Sequence, residues 1–407
     1  MDERPSPLPQ SVWGIMAVIG GLLGATLITA ILVLLYFTWI GELETEEAFI
    51  LLSPMEGALA LTTAMTVVAL RAMTGKGGKP LRVRRGDWLL LLLWLMLFLA
   101  TLFVHTESLL VSLLNIAAFA LPPLAILLFL IRLSGAEAAP TRRQFWAALW
   151  MGMVAILPVL LLELLSAVAG ALAFFILAHF SASAAAYLQQ LRQILALIRE
   201  SGLEALRTLD EETLLRLFAS PYLYLYLLFI TAIVAPLVEE GGKTLWLALA
   251  GRWLPRRPAT FFLLGAASGV AFAFFESLNS GASPASDVLG WGSDVLIRLM
   301  PAMMHAVASG MSGPGWGYLW SGRRGRGALF VALGILYHAM WNGSLLTALW
   351  GGMQIAVAAV GGSIELTPLF VGLMVGLPAV MVMGLMWLSA PILLVVLPLW
   401  LRRGTHR

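Results

Sequence analysis

Long apolar runs without charges recur along this chain, and they constrain its fold more than any other feature. Several of them exceed the roughly 20 residues that a helix needs to cross a bilayer. Hydrophobic residues make up 60% of the 407 positions and charged residues only 12%, whereas soluble domains carry about 25% charged residues. The sequence therefore predicts an all-α polytopic membrane protein with about ten transmembrane helices.

The ten predicted spans alternate with clusters of arginine and lysine, such as the cluster at 71–85 and the pair Arg142 and Arg143. Placing all of these clusters on the cytoplasmic side of the membrane satisfies the positive-inside rule. Both termini are then cytoplasmic. The expected location is a prokaryotic plasma membrane. The net charge of +3 is too small to predict nucleic acid as a partner. The spans are expected at about 12–38, 48–70, 88–105, 108–131, 144–179, 221–250, 259–278, 295–319, 327–349 and 367–401.

The segment 181–220 differs from the spans because its leucines recur at helical spacing among polar residues. It predicts two amphipathic helices outside the membrane, the second beginning at the S-x-x-E sequence of Ser201. A solvated or interfacial hairpin is one interpretation, and a lid or substrate-docking element is the other. The predicted regions are five N-terminal spans (1–180), this extracytoplasmic segment (181–220), a four-helix catalytic core (221–349), and a C-terminal connector with the last span (350–407).

Ionisable residues at membrane depth concentrate in the predicted core. Each costs about 2.5–3.5 kcal/mol on insertion scales, so such groups are expected to face one another, water or a metal. The sequence E-E-x-x-K lets the lysine reach either acid on a helix, and Gly265 and Gly269 offer a small-residue face for close helix packing. The polar residues are Glu239, Glu240, Lys243, Glu276, Arg298, His305, His338 and Asn342.

A single buried ion pair or a single packed histidine would be an ordinary structural feature. Two acids, a lysine, a third acid and two histidines in one half of the chain favour a hydrolytic site instead. The chain has no cysteine, so any metal would be held by histidine, carboxylate or water. Glu56 and Glu163 also fall inside predicted spans, but no comparable set of residues accompanies them.

Four motifs in this order carry a resemblance: E-E-x-x-K at 239–243, F-x-x-x-E at 272–276, arginine and histidine seven apart at 298–305, and H-x-x-W-N at 338–342. They resemble the PrsW family of intramembrane proteases, which is related to the type II CAAX prenyl endopeptidases and bacterial Abi proteins. The resemblance covers about 235–342 and implies a membrane-embedded metalloprotease. By position it implicates Glu239, Glu240, Lys243, Glu276, His305, His338 and Asn342. Relatives in the CAAX branch carry histidine where this chain has Glu276.

Two mechanisms fit these residues. In the first, Glu276, His305 and His338 hold Zn²⁺ with an open position for water, and Glu239 or Glu240 is the base. In the second, the glutamates activate water directly, while His338 and Asn342 stabilise the oxyanion. The expected substrate is a membrane protein or peptide, such as a single-span protein resembling an anti-sigma factor. An ion-coupled transporter that uses the same groups as a proton relay is the alternative function.

Overall fold

The computed structural model describes residues 9–42, 45–76, 78–83, 86, 88–101, 103, 109–178, 180–202, 209–255, 257–278, 288–360 and 364–403. Its helices are α1 (Gln10–Trp39), α2 (Thr45–Met73), α3 (Trp88–Thr101), α4 (Leu109–Ala138), α5 (Arg142–Val154), α6 (Ile156–Ala178), α7 (Ala182–Ser201), α8 (Glu211–Phe218), α9 (Pro221–Leu228), α10 (Ala235–Ala250), α11 (Pro258–Leu278), α12 (Val288–Trp320), α13 (Arg324–Ala359) and α14 (Leu366–Arg403). A π-helical turn (Phe229–Val234) joins α9 to α10. The predicted all-α fold is confirmed.

Within the described ranges, nine helical segments are long and apolar enough to cross a membrane, which confirms an integral membrane protein. The predicted last span is one continuous helix, α14, despite its four prolines. The predicted span 88–105 corresponds to α3, which has 14 residues. A helix of that length extends about 21 Å, less than the roughly 30 Å of a hydrocarbon core. Most of the remaining positions of that span lie outside the described residues.

The chain divides into two compact units. The first unit comprises Met1–Pro158, Glu240–Ile335 and Ala390–Arg407, and the second comprises Val159–Glu239 and Leu336–Ser389. The unit boundary falls inside α10, so that the consecutive residues Glu239 and Glu240 are assigned to different units. The division into four regions made from the sequence stays a prediction.

The first unit is built around the close packing of α11 on α12. A Cβ atom on Gly265 would lie 2.1 Å from the carbonyl oxygen of Ser309, and one on Gly269 would lie 2.3 Å from that of His305. Only glycine allows two helix backbones to approach this closely, as in small-residue interfaces of membrane proteins. Since α11 carries Glu276 and α12 carries His305, this contact fixes the spacing of two predicted site residues.

The second unit contains the amphipathic segment. The apolar face of α7 packs through Tyr187 and Leu188 against Phe174 and Tyr222 of the neighbouring helices. The predicted start of a second helix at Ser201 is wrong, because Ser201 is the last residue of α7 and Gly202 leaves the helix with φ 70°. Positions 203–208 of the predicted helix lie outside the described residues.

The second described helix of this segment is α8, and Asp210 caps it. The carboxylate of Asp210 accepts hydrogen bonds from the backbone N–H and the hydroxyl of Thr213, which lower the pKa of Asp210. A carboxylate at a helix N-terminus also interacts favourably with the helix dipole. The N-cap of this described helix lies nine residues after Ser201.

Candidate active site

Lys243 and Glu240 form a buried ion pair within α10. The Nζ atom of Lys243 lies 3.0 Å from Oε1 of Glu240, and both side chains have 0% exposure. The second oxygen of Glu240, Oε2, accepts a hydrogen bond of 2.7 Å from the hydroxyl of Ser309 on α12. Both carboxylate oxygens of Glu240 are therefore engaged, and the side chain is closed to solvent.

The same lysine contacts His305. Its Nζ atom lies 2.6 Å from Nδ1 of the imidazole and 4.1 Å from the ring centroid of Phe272. Since an ammonium group can only donate hydrogen bonds, Nδ1 must be the acceptor, and the neutral ring then carries its proton on Nε2. That nitrogen lies 2.9 Å from Oε2 of Glu276, to which it donates. The histidine thus has one defined tautomer.

Glu276 connects this buried group to an accessible edge of the first unit. Its side chain is 45% exposed, whereas that of His305 is 3% exposed. Arg298 lies 3.9 Å from Oε1 of Glu276 and 3.4 Å from Asp294, both loose contacts that solvent weakens. An unbroken series of polar contacts therefore runs from Arg298 through Glu276, His305 and Lys243 to Glu240.

The second unit holds another pair of predicted site residues. Oε2 of Glu239 lies 3.9 Å from Nε2 of the buried His338, which is too long for a hydrogen bond. Two ligand atoms on one tetrahedral zinc, each about 2.0–2.2 Å from the ion, stand roughly 3.4 Å apart. The distance between these two atoms is thus close to the distance expected between two ligand atoms of one zinc ion. Asn342, one turn further along α13, donates from Nδ2 to the carbonyl oxygen of Thr231 at 2.8 Å.

The structure brings most of the sequence-predicted residues into two groups. The first unit joins Glu240, Lys243, Glu276, Arg298 and His305, and the second joins Glu239 with His338. Asn342 contacts the backbone instead of another predicted site residue. Sequence reasoning missed Ser309, although its position four residues after His305 places both on one face of α12.

Within the second unit, the buried residues Glu239 and His338 could each offer one ligand atom to a metal ion. Imidazole and carboxylate donors suit zinc, so the donor types fit a metal. His305 already uses both ring nitrogens, and ligation by it requires one of those hydrogen bonds to be given up.

Buried acids, a buried lysine and buried histidines on membrane-length helices mark a functional polar site, as found in the class of membrane-embedded hydrolases. A family model described as PrsW family intramembrane metalloprotease matches residues 139–383. The chain belongs to this family and is an intramembrane protease. No curated protein and no solved structure matches the chain.

Proposed function

We propose that the chain cleaves single-span membrane proteins, with Glu239 and His338 acting on the attacking water. The observation that carries the proposal is the series of contacts joining Glu240, Lys243, His305 and Glu276. Burying a charged pair costs several kcal/mol of desolvation per ion, and apolar residues would pack at less cost. A function that needs these charges explains why they are present. Membership of the protease family indicates that this function is the hydrolysis of a peptide bond.

The two adjacent glutamates have different roles in this proposal. Glu240 is fully buried, and both of its oxygens hold hydrogen bonds, to Lys243 and Ser309. The side chain of Glu239 keeps 12% exposure, and its Oε2 faces His338. A general base must reach the proton that it removes. Glu239 is therefore proposed as the proton acceptor, and Glu240 as the anion that holds the Lys243 ammonium in place.

The proposed metal is Zn²⁺, and in the second unit Glu239 and His338 would hold it, Glu239 through one carboxylate oxygen while the other accepts the proton of the water. When bound, zinc would supply a Lewis acid and lower the pKa of a coordinated water. Glu276 and His305, the other ligands predicted from the sequence, lie in the first unit, where Glu276 accepts the hydrogen bond of His305 and orients that ring. In the metal-free alternative, Glu239 acts directly as the base, and His338 donates to the oxyanion.

Metal analysis separates the two mechanisms. Protein purified without chelator should carry about one zinc per chain, as a single tetrahedral site requires. His338→Ala should lose the metal, while Glu56→Gln, a change in another candidate span, should retain it. Purified protein without stoichiometric metal that still cleaves its substrate in excess EDTA would establish the metal-free mechanism.

The substrate class can be tested by co-reconstitution with a panel of single-span membrane proteins, including proteins built like anti-sigma factors. Cleavage within or beside the span, followed by gel and mass spectrometry, is the expected result. The matched control is Glu239→Gln, which removes the proposed base at constant size. Cleavage of soluble peptides at the same rate would show that a membrane-spanning substrate is not required.

We also propose that both termini are cytoplasmic and that the segment 181–220 is extracytoplasmic. Because the chain lacks cysteine, single cysteines at the exposed positions Lys76 and Gln189 can be labelled without background. An impermeant thiol reagent outside intact cells should label position 189 and not position 76. Labelling of both positions from one side would mean that α3 does not cross the membrane.

A further inference from the structure

The π-helical turn before α10 leaves one backbone carbonyl without its usual donor. The N–H of Ala235 donates to the carbonyl of Ile230, five residues earlier, instead of four as in an α-helix. In the same register the next donor would be residue 236, and its acceptor would be the carbonyl of Thr231. Residue 236 is proline and has no N–H. A carbonyl left unpaired inside a membrane-length helix costs free energy, so another group is expected to satisfy it.

Asn342 is that group. Its side-chain Nδ2 donates to the carbonyl oxygen of Thr231 at 2.8 Å. Asn342 lies on α13, four residues after His338, so both side chains project from one face of that helix. The face that carries His338 toward Glu239 therefore also supplies the hydrogen bond that Pro236 cannot make.

The π turn determines the angle around the helix axis between Thr231 and Glu239, here called their difference in rotational phase. An α-helix advances about 100° per residue, so residues eight apart would differ by roughly 80° around the helix axis. A π turn takes up one extra residue, which reduces the difference between Thr231 and Glu239 to roughly 20°. Both residues then point to the same side, in agreement with their contacts to Asn342 and His338. In a regular α-helix, Val238 would occupy the phase of Glu239.

We propose that Asn342 is a positioning residue that holds the π turn in place and thereby directs Glu239 at His338. It acts through the Thr231 carbonyl and not on the substrate, in contrast to the oxyanion role expected from the sequence. The functional meaning of this device rests on the proposed use of Glu239 and His338 in water activation. Its geometry is independent of that use and can be tested without any substrate.

The test measures which residue of α10 faces position 338. In the otherwise cysteine-free full-length protein, His338→Cys is combined with either Glu239→Cys or Val238→Cys. A short, membrane-permeant bifunctional methanethiosulfonate is then applied in native membranes. The parent should cross-link through position 239 severalfold more than through position 238. Asn342→Leu, which keeps the size and removes the donor, should shift the preference to position 238.

The matched control is Gln354→Met. Gln354 lies on the same helix and donates its amide to the carbonyl of Ala219 at 2.6 Å, a backbone contact outside the π turn. This variant should keep the preference for position 239. A shift in the control as well would show a general loss of packing and overturn the proposal.

Activity of the Asn342→Leu variant, measured with residues 238, 239 and 338 intact, supplies the second readout. A fall in kcat together with the shifted cross-link supports the proposal. A fall in kcat with the cross-link still at position 239 would mean that Asn342 acts directly on the reaction, and the positioning role would be wrong. An unchanged cross-link with unchanged activity would refute it as well. If cross-links follow the prediction but no variant changes cleavage, the proposed catalytic use of Glu239 is wrong, while the positioning geometry stands.

Discussion

Two glutamates of the first unit, Glu240 and Glu56, invite comparison because both lie in candidate membrane spans and both accept a hydrogen bond from a serine of another helix. Ser309 donates to Glu240 at 2.7 Å, and Ser112 donates to Glu56 at 2.6 Å. Glu240 additionally pairs with the Lys243 ammonium, which contacts His305. At Glu56 the serine itself contacts a further hydroxyl, that of Ser53, at 3.0 Å.

The comparison shows that a glutamate at membrane depth does not by itself make a functional site. A hydroxyl satisfies a hydrogen bond but brings no charge, whereas an ammonium and an imidazole keep a carboxylate anionic and link it to further groups. We interpret the Glu56 cluster as a polar contact between α2 and α4, and the Glu240 cluster as the charged support of the adjacent Glu239. The predictions below test this difference.

The largest difference is expected in activity. Glu239→Gln should lower kcat by a factor of about 10²–10⁴, the usual contribution of a general base, because an amide cannot accept the proton. Glu56→Gln should leave kcat nearly unchanged. Cleavage of a reconstituted substrate measures both variants, and a loss of the same size in Glu56→Gln would contradict the distinction.

A second difference is expected in stability. Lys243→Met removes the ammonium and leaves Glu240 buried without its counter-charge, which costs about 3–5 kcal/mol in comparable buried pairs. Ser112→Ala removes one neutral donor from Glu56 and should cost about 1–3 kcal/mol. Unfolding in detergent, followed by tryptophan fluorescence, gives both values. Equal losses would contradict the proposed difference between the two clusters.

The smallest difference concerns the glycines beside each cluster. Gly269→Ala places a methyl group 2.3 Å from a backbone carbonyl, so α11 and α12 must separate, at about 1–3 kcal/mol for an overpacked core. Gly57→Ala meets only side-chain atoms of Leu278 and Phe274 at 3.2 Å, which can shift slightly. The same unfolding measurement should show that Gly269→Ala is the more destabilising change. The reverse order would mean that the contact between α11 and α12 at Gly269 is less rigid than the packing around Gly57.

The features that could be predicted from the sequence are those with a large free energy of transfer into the bilayer, namely the apolar spans and the ionisable residues within them. Apolar length predicted the spans. The spacing of E-E-x-x-K predicted that Lys243 can reach either Glu239 or Glu240, and the structure pairs it with Glu240. The family motifs predicted Glu276 and His305 as ligands of one metal ion, which stays a prediction. The structure shows these two side chains as hydrogen-bond partners at 2.9 Å.

The contacts of neutral polar residues could not be predicted, because such residues are not conspicuous in an apolar sequence as charged residues are. A serine such as Ser309 is common in membrane helices, and only the packing of α12 shows that its hydroxyl reaches Glu240. The contact of Asn342 with Thr231 depends on the π turn, and helical periodicity assumes a constant 3.6 residues per turn. Pro236 was the available sign of an irregular turn, since proline removes one N–H from the helix.

The placement of Lys243 and Glu240 on a single helix has a consequence for how the protein reaches the membrane. A helix carrying an isolated lysine or an isolated glutamate would face the full insertion cost of that charge. Residues three apart can pair as soon as the helix forms, before the later spans that carry Ser309 and His305 have been synthesised. The segment can therefore leave the translocation channel with these two charges already compensated, and partners such as Ser309 and His305 are needed only later, when α12 arrives.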